Sequence, residues 1–257
     1  MTWLGHATAV AELAGSRVLF DPLLRARARS AGKVDAVLVT HSHVDHLNRW
    51  TLKAIDRDTH LVVPKGARPI VADLGFREVT ELEPGDQLAI AGLEVTAVPT
   101  RHDHGRWSKG DSPVALGYVV AGAGATLHHA GDVDFSDHAI FDDIGKRHSI
   151  DATMLPIGGM LPVWYYRRRR SSLDRGVHID PDCALDIYER LGARALIPVH
   201  WGTVNLRFGL PSMPRRRLER IVAERSVGGV RILAHRERLT LADVTPRRES
   251  ADSPTPR

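Results

Sequence analysis

The sequence predicts an α+β fold in which two sheets pack face to face, helices lie outside them, and one polar site forms at the strand ends. Three observations predict it. Segments of β type come first in pairs across short turns. Further along they alternate with helical segments. Stretches rich in His and Asp follow the strands again and again.

Segments 8–13 and 17–20 read as strands joined by a turn at Gly15-Ser16. Residues 35–40 are a continuous apolar run, the pattern of a buried strand, whose C-terminal end delivers a histidine cluster. A short strand at 61–63 precedes an expected helix over 64–74. Segments 87–90 and 93–98 pair across Ala91-Gly92, and 114–120 and 126–129 repeat the pattern across a turn with Gly122 and Gly124. A helix is expected over 136–144, then a strand at 152–155. Asp180-Pro181 is a helix start, with Asp at the N-cap and Pro at N1. Ala184, Ile187, Tyr188 and Leu191 follow on one face, and Gly192 ends the helix. A buried strand at 195–199 ends at His200, a helix covers 213–224, and strands at 230–233 and 239–241 close the fold. The reading is one domain over 1–243, with a polar, proline-containing tail over 244–257 that is expected to be disordered.

Composition narrows the function classes. Apolar residues make up 43% and charged residues 26%, enough for a sizeable core under an ordinary surface. The single cysteine, Cys183, excludes an internal disulfide and reads as a packing residue within its helix. No run approaches the roughly 18 apolar residues of a membrane helix, and the first residues lack a secretory pattern, so the cytoplasm is the expected compartment. The net charge of +4 is clumped at Arg25, Arg27 and Arg29, at Arg167 to Arg170, and at Arg215 to Arg217. These runs suit an anionic partner, or simply an Arg-rich solvated surface. Few aromatics interleave with them, which argues against a nucleic-acid partner.

The chemistry is concentrated in His41-Ser42-His43-Val44-Asp45-His46. In an extended segment His41 and His43 point the same way and can share one metal ion. Asp45 and His46 follow as the chain turns and can face a second. Imidazole and carboxylate donors without a thiolate suit Zn²⁺, and also Fe or Mn. One loop rarely completes a dinuclear shell, and further candidates follow other strands: His102 and His104, Asp132 after His128-His129, and His200.

With these segments in hand the chain resembles the metallo-β-lactamase fold superfamily, in particular its UlaG-like and N-acylphosphatidylethanolamine phospholipase D-like branch. The resemblance rests on Thr2-Trp3-Leu4-Gly5-His6-Ala7-Thr8, Asp21-Pro22, the 41–46 motif, Gly131-Asp132, Leu155-Pro156-Ile157-Gly158-Gly159, His178-Ile179-Asp180-Pro181 and His200-Trp201-Gly202-Thr203. It implies a four-layer αβ/βα sandwich and a dinuclear site. His41, His43 and His102 would bind one metal, Asp45, His46 and His200 the other, and Asp132 would bridge them. His102 is preferred to His104 because Pro99-Thr100-Arg101-His102 matches the family's third histidine after a proline-containing strand end. His128 and His129 are expected to support the strand, and Asp21 to support a ligand histidine.

The resemblance also implies a mechanism. Two divalent ions, Zn or alternatively Mn or Fe, share a hydroxide that attacks an ester, lactone or phosphodiester. Asp45 ligates and orients the nucleophile. His178 binds the oxyanion or protonates the leaving group, and His6 lines the substrate site. The expected substrate is a small or phospholipid-like anionic molecule, and a homo-oligomer is compatible with this reading. A nuclease of the same fold and a metal-binding protein without turnover are the competing readings. The chain departs from the branch at 107–111 and at 161–177, where Trp164, Tyr165 and Tyr166 stand beside four arginines ahead of His178.

Overall fold

The computed structural model of the chain describes residues 1–102, 113–134, 139–159, 178–203 and 211–243. His104, the segment 107–111, the aromatic and arginine-rich stretch 161–177 and the tail 244–257 lie outside the described residues.

Among the described residues twelve strands form two six-stranded mixed sheets. The first holds β1 (Thr2–Gly5), β2 (Thr8–Leu13), β3 (Ser16–Phe20), β4 (Ala36–Leu38), β5 (His60–Pro64) and β6 (Val79–Leu82) in that spatial order. The second holds β7 (Gln87–Ile90), β8 (Leu93–Pro99), β9 (Leu116–Gly122), β10 (Ala125–His129), β11 (Ala152–Pro156) and β12 (Ala195–Val199). Each sheet begins antiparallel and turns parallel, from β3 onward in the first and from β10 onward in the second.

Turn chemistry explains the antiparallel parts. The β2–β3, β7–β8 and β9–β10 hairpins all turn on Ala-Gly pairs: Ala14-Gly15, Ala91-Gly92 and Ala123-Gly124. Both residues of each pair have positive φ. That is the two-residue turn whose twist matches the flanking strands. Parallel pairs need longer crossovers. In the first sheet these carry α1 (Arg25–Ser30), α2 (Arg49–Leu52) and α3 (Arg68–Val71). In the second they carry α4 (Ala139–Arg147) and α5 (Pro181–Leu191), and α6 (Met213–Arg225) follows β12.

Side-chain alternation makes the layers. Leu19, Val37, Leu61 and Val63 pack with Ala28, Leu52 and Val71 in a core between the first sheet and its helices. Their neighbours Val18, Phe20, Ala36, Leu38 and Val62 point the other way, into the larger core shared with the second sheet and α4, α5 and α6. The expected α+β sandwich is therefore present. Helix α5 forms as its residues dictate. The Asp180 carboxylate accepts from the Cys183 N–H at 3.1 Å, Pro181 opens the helix, Gly192 closes it at φ 61°, and Cys183 is buried packing.

Local expectations fail where turns intervene. Over 64–74, Pro64 ends β5 and Gly66 turns the chain at φ 89°. Only Arg68–Val71 and a 3₁₀ turn at Ala72–Leu74 are helical. Neither 230–233 nor 239–241 forms a strand: Val230 makes a single isolated bridge with Leu196, and the other bridge, to Thr2, lies at Arg238, just ahead of the second segment. A turn in which the Glu237 N–H donates to Ala234 O, with Arg236 at φ 70°, separates them, and Leu241–Asp243 is 3₁₀. Strands β1 and β6 and helices α1 and α2 are additions to the sequence reading.

Candidate metal centre

The site forms where both sheets end. Beyond β4, the buried residues Val39 and Thr40 carry the chain to His41. Thr40 is anchored on Asp21: its N–H donates to Oδ1 at 2.8 Å and its hydroxyl to Oδ2 at 2.7 Å. A hydroxyl that donates to a carboxylate is left to accept, so His41 Nδ1–H donates to Thr40 Oγ1 at 3.0 Å. His46 Nδ1–H donates to Asp21 Oδ2 at 2.8 Å. One buried carboxylate thus orients two imidazoles and leaves each Nε2 for the cluster. The chain turns between the two histidines, because the His46 and Leu47 N–H groups both donate to His43 O.

The second sheet delivers its groups singly. His102 follows β8, Asp132 follows β10, His178 precedes α5 and His200 follows β12. Close backbone approach requires two glycines here. A Cβ on Gly131, at φ 65°, would meet the Thr40 side chain at 2.8 Å, and one on Gly158 would collide with the His200 carbonyl. His6, His178 and His200 sit at φ 54°, 53° and 59°. Left-handed non-glycine residues are uncommon and gather at functional sites. The β1–β2 turn is tied to His200 through His6, whose carbonyl accepts from His200 N–H at 2.9 Å and from Trp3 Nε1 at 2.8 Å. The His6 N–H donates to Thr203 Oγ1 at 2.9 Å.

The result is a knot of imidazoles around two carboxylates. Asp132 Oδ2 lies 3.3 Å from His46 Nε2 and from His178 Nδ1, and 3.8 Å from His41 Nε2 and His102 Nε2. Its Oδ1 lies 3.3 Å from His200 Nε2. Asp45 Oδ2 is 2.9 Å from His6 Nε2, 3.5 Å from His200 Nε2 and 3.8 Å from His46 Nε2. His43 Nδ1 and His102 Nε2 are 3.1 Å apart, close to the roughly 3.3 Å edge expected when two imidazoles share one tetrahedral ion. Two four-residue groups could each hold an ion: His41, His43, His102 and Asp132, and His6, Asp45, His46 and His200.

Electrostatics agree with a cation at this place. Burial would raise both carboxyls, but the histidines outweigh it. His46, with His200 and His6 beside it, holds Asp45 well below the usual range, and His200, His46 and His178 do the same for Asp132. Burial pushes His6 and His178 down to about 4 and His41 well below its ordinary value, so these imidazoles keep free lone pairs at neutral pH. Burial opposes charge on His46 and His200 too, but Asp132 leads the groups that win, raising His46 well above its ordinary value and His200 to about 9. An entering cation therefore displaces protons there. His41 Nε2, His46 Nε2, His200 Nε2, His178 Nδ1 and both Asp132 oxygens are buried without a directed hydrogen-bond partner. Such orphans are costly unless a ligand satisfies them.

Every described residue that the sequence reading placed at the site is brought together here: His6, His41, His43, Asp45, His46, His102, Asp132, His178 and His200. Two residues were not foreseen. Thr40 relays Asp21 to His41. Asp134 accepts from His102 Nδ1–H at 3.2 Å and from the His178 N–H at 3.0 Å. Its only sequence signal is a position two residues after Asp132.

Comparison with known proteins agrees with this geometry. The family model described as a β-lactamase superfamily domain matches residues 16–201. A UPF0173 protein of Pyrococcus furiosus is 30% identical over 203 residues, covering 79% of this chain and 83% of its own length. A UPF0173 metal-dependent hydrolase of Methanopyrus kandleri is 30% identical over 213 residues, covering 79% and 84%. The chain belongs to the β-lactamase superfamily, in its UPF0173 metal-dependent hydrolase family. This UPF0173 hydrolase spans 59% of a longer Mycobacterium tuberculosis relative that is 28% identical to it. Among solved structures, a metallo hydrolase from Ignicoccus hospitalis shares the fold at TM-score 0.67 and 21% identity, over 92% of this chain and 95% of that one. A diiron β-hydroxylase from Streptomyces venezuelae does so at 0.72 and 20%, over 92% of this chain and 53% of that one. At these identities the likeness shows fold alone.

Proposed function

We propose that this UPF0173 hydrolase holds two divalent metal ions, zinc with manganese or iron as alternatives, and cleaves an ester, lactone or phosphodiester bond in a small or phospholipid-like anionic substrate. The observation that carries the reading is the convergence of buried, unpartnered imidazole nitrogens on the two unpartnered oxygens of Asp132. His41, His43 and His102 would hold one ion, Asp45, His46 and His200 the other, with Asp132 between them. Bound there, the ions would supply Lewis acidity that makes water nucleophilic near neutral pH and offsets charge on the attacked group.

The chain's own residues do the rest. Asp45, ionised and braced by His6 Nε2 at 2.9 Å, accepts a hydrogen bond from the attacking water and aims it. His178, held in the left-handed region beside Asp132, faces the substrate and donates to the oxygen that gains charge or leaves. The motifs 2–8 and 200–203 support placement near the UlaG-like and phospholipase D-like branch. A nuclease role is less favoured, because part of the basic excess is already paired: Arg217 holds Asp182 at 2.7 Å and Arg215 holds Glu219 at 2.7 Å. No helix among the described residues is long and apolar enough to cross a membrane. A cytoplasmic place of action stays part of the proposal, on the strength of a sequence whose single cysteine, Cys183, allows no internal disulfide.

Elemental analysis of purified protein with a panel of esters, lactones and phosphodiesters tests it. Two equivalents of transition metal are expected, together with turnover of at least one class that His43→Ala abolishes. Protein without metal, or activity indifferent to His43→Ala, overturns the reading. Full metal with no turnover on any class supports the metal-binding protein instead.

A further inference from the structure

Asp134 stands outside the set of groups assigned above, yet it touches two of them. Its Oδ1 accepts from the ring of His102 at 3.2 Å and from the backbone N–H of His178 at 3.0 Å. Its own N–H donates to Arg101 O at 2.6 Å, pinning it to the strand end that leads into His102. The two partners arrive from distant parts of the chain, one after β8 and one before α5. His178 needs such an anchor because its φ of 53° is unfavourable for a residue with a side chain. His102 needs one because its ring must present Nε2, not Nδ1, toward His43 and Asp132.

We propose that Asp134 is a positioning residue: one carboxylate oxygen ties the His102 ring to the His178 backbone and so sets both imidazoles on Asp132. A carboxylate only accepts, so His102 Nδ1 carries the proton and Nε2 keeps its lone pair for an ion. The same oxygen holds the backbone turn from which the His178 ring reaches Asp132 Oδ2 at 3.3 Å. Geometry, more than charge, carries the role. An asparagine amide oxygen could accept both hydrogen bonds, while an alanine could accept neither. The inference rests on the reading that His102 is a metal ligand, and its test separates the two.

Wild type, Asp134→Ala and Asp134→Asn are titrated with Zn²⁺ against a chromophoric chelator, and the side-chain ¹⁵N shifts of His102 are followed in metal-free protein. For Asp134→Ala, one of two Zn²⁺ equivalents is expected to bind about 10–100-fold more weakly, as for loss of an outer partner of a ligand histidine. The other equivalent stays as in wild type, and the metal-free His102 moves from one Nδ1–H tautomer to a mixture. Asp134→Asn is expected to restore both readouts. Should Asp134→Ala fail to fold, Asp134→Ser replaces it, since its hydroxyl is too short to reach both donors. Wild-type affinity and tautomer in Asp134→Ala overturn the proposal, as does an Asp134→Asn variant as impaired as the alanine. Wild type that binds no Zn²⁺ overturns the metal reading alone, and the tautomer measurement then still decides on Asp134.

Discussion

Two sets of buried histidines lie side by side in this molecule and are treated in opposite ways. His129 uses both ring nitrogens: Nε2–H donates to Ala7 O at 2.9 Å, Nδ1 accepts from the Gly131 N–H at 3.0 Å, and the ring stacks on Phe20 at 5.1 Å. Its neighbour His128 is hydrogen-bonded through Nδ1 to Thr153 at 2.9 Å. In the loop after β4, His41 and His46 each have Nδ1 tied down and Nε2 buried with no partner. Burial is equal and residue type is equal, so what differs is completion. A satisfied histidine is part of a core. A half-satisfied one, repeated around two carboxylates, is suited to hold a cation, since a buried nitrogen left without any partner would cost about 1–3 kcal/mol.

The largest effect expected from this contrast is at Asp132, which touches both groups of candidate ligands. Asp132→Ala should lower activity by more than the roughly 100-fold typical of losing an outer partner and should reduce bound metal, read by elemental analysis. His129→Phe keeps a ring against Phe20 and should leave the metal content at the wild-type value. If the two variants lose metal alike, the contrast is wrong.

Metal removal comes next. An ion that binds only the folded chain stabilises it by about 4 kcal/mol at a thousandfold excess over Kd. For a domain of this size that is on the order of 10 °C in Tm. Chelation should lower the melting temperature of wild type by that order and of the His128→Gln variant equally. A chelator-insensitive melt would show that the orphaned nitrogens are not satisfied by metal.

Asp21 should matter less than the ligands it serves. Asp21→Asn keeps an acceptor either for the Thr40 N–H or for the Thr40 hydroxyl and His46 Nδ1–H, but not the charge that orients all of them. A 10–100-fold loss of metal affinity is expected, measured by chelator competition. Affinity equal to wild type would mean that the rings are held by packing alone.

Much of this was legible in the residues. The 41–46 motif announces itself because its ligands are crowded into six residues, and α5 because cap, proline, apolar face and terminal glycine all agree. His102, Asp132 and His200 became legible only as a set, since each alone resembles a residue at any strand end. Asp134 and Thr40 were hidden because their roles depend on contacts that cross the fold. Asp134 meets His178 44 positions away, and no local spacing encodes that. The failed strands near 230–241 have the same origin in reverse. Their apolar residues suit a ladder, but the turn at 234–237 leaves room only for single bridges.

The finest test concerns His128, whose difference from the cluster histidines should appear in pH rather than in metal. Burial, helped by His129 and His148, pushes its folded pKa down to about 3 from an ordinary 6.5. The unfolded chain therefore binds the extra proton first. The stability that neutral His128 contributes is fully present above about pH 6.5 and is lost as the pH falls toward about 3, with a slope of up to about 1.4 kcal/mol per pH unit. Glutamine cannot titrate and can still hydrogen-bond Thr153. Denaturant unfolding of metal-loaded wild type and His128→Gln across this range should therefore give profiles that meet near neutrality and diverge on acidification, with the variant the more stable at pH 4. The cluster histidines titrate in both proteins and cancel in the difference. Parallel profiles would mean that His128 is solvated enough to take up its proton without cost, and that the satisfied and unsatisfied histidines of this fold differ less than their hydrogen bonds indicate.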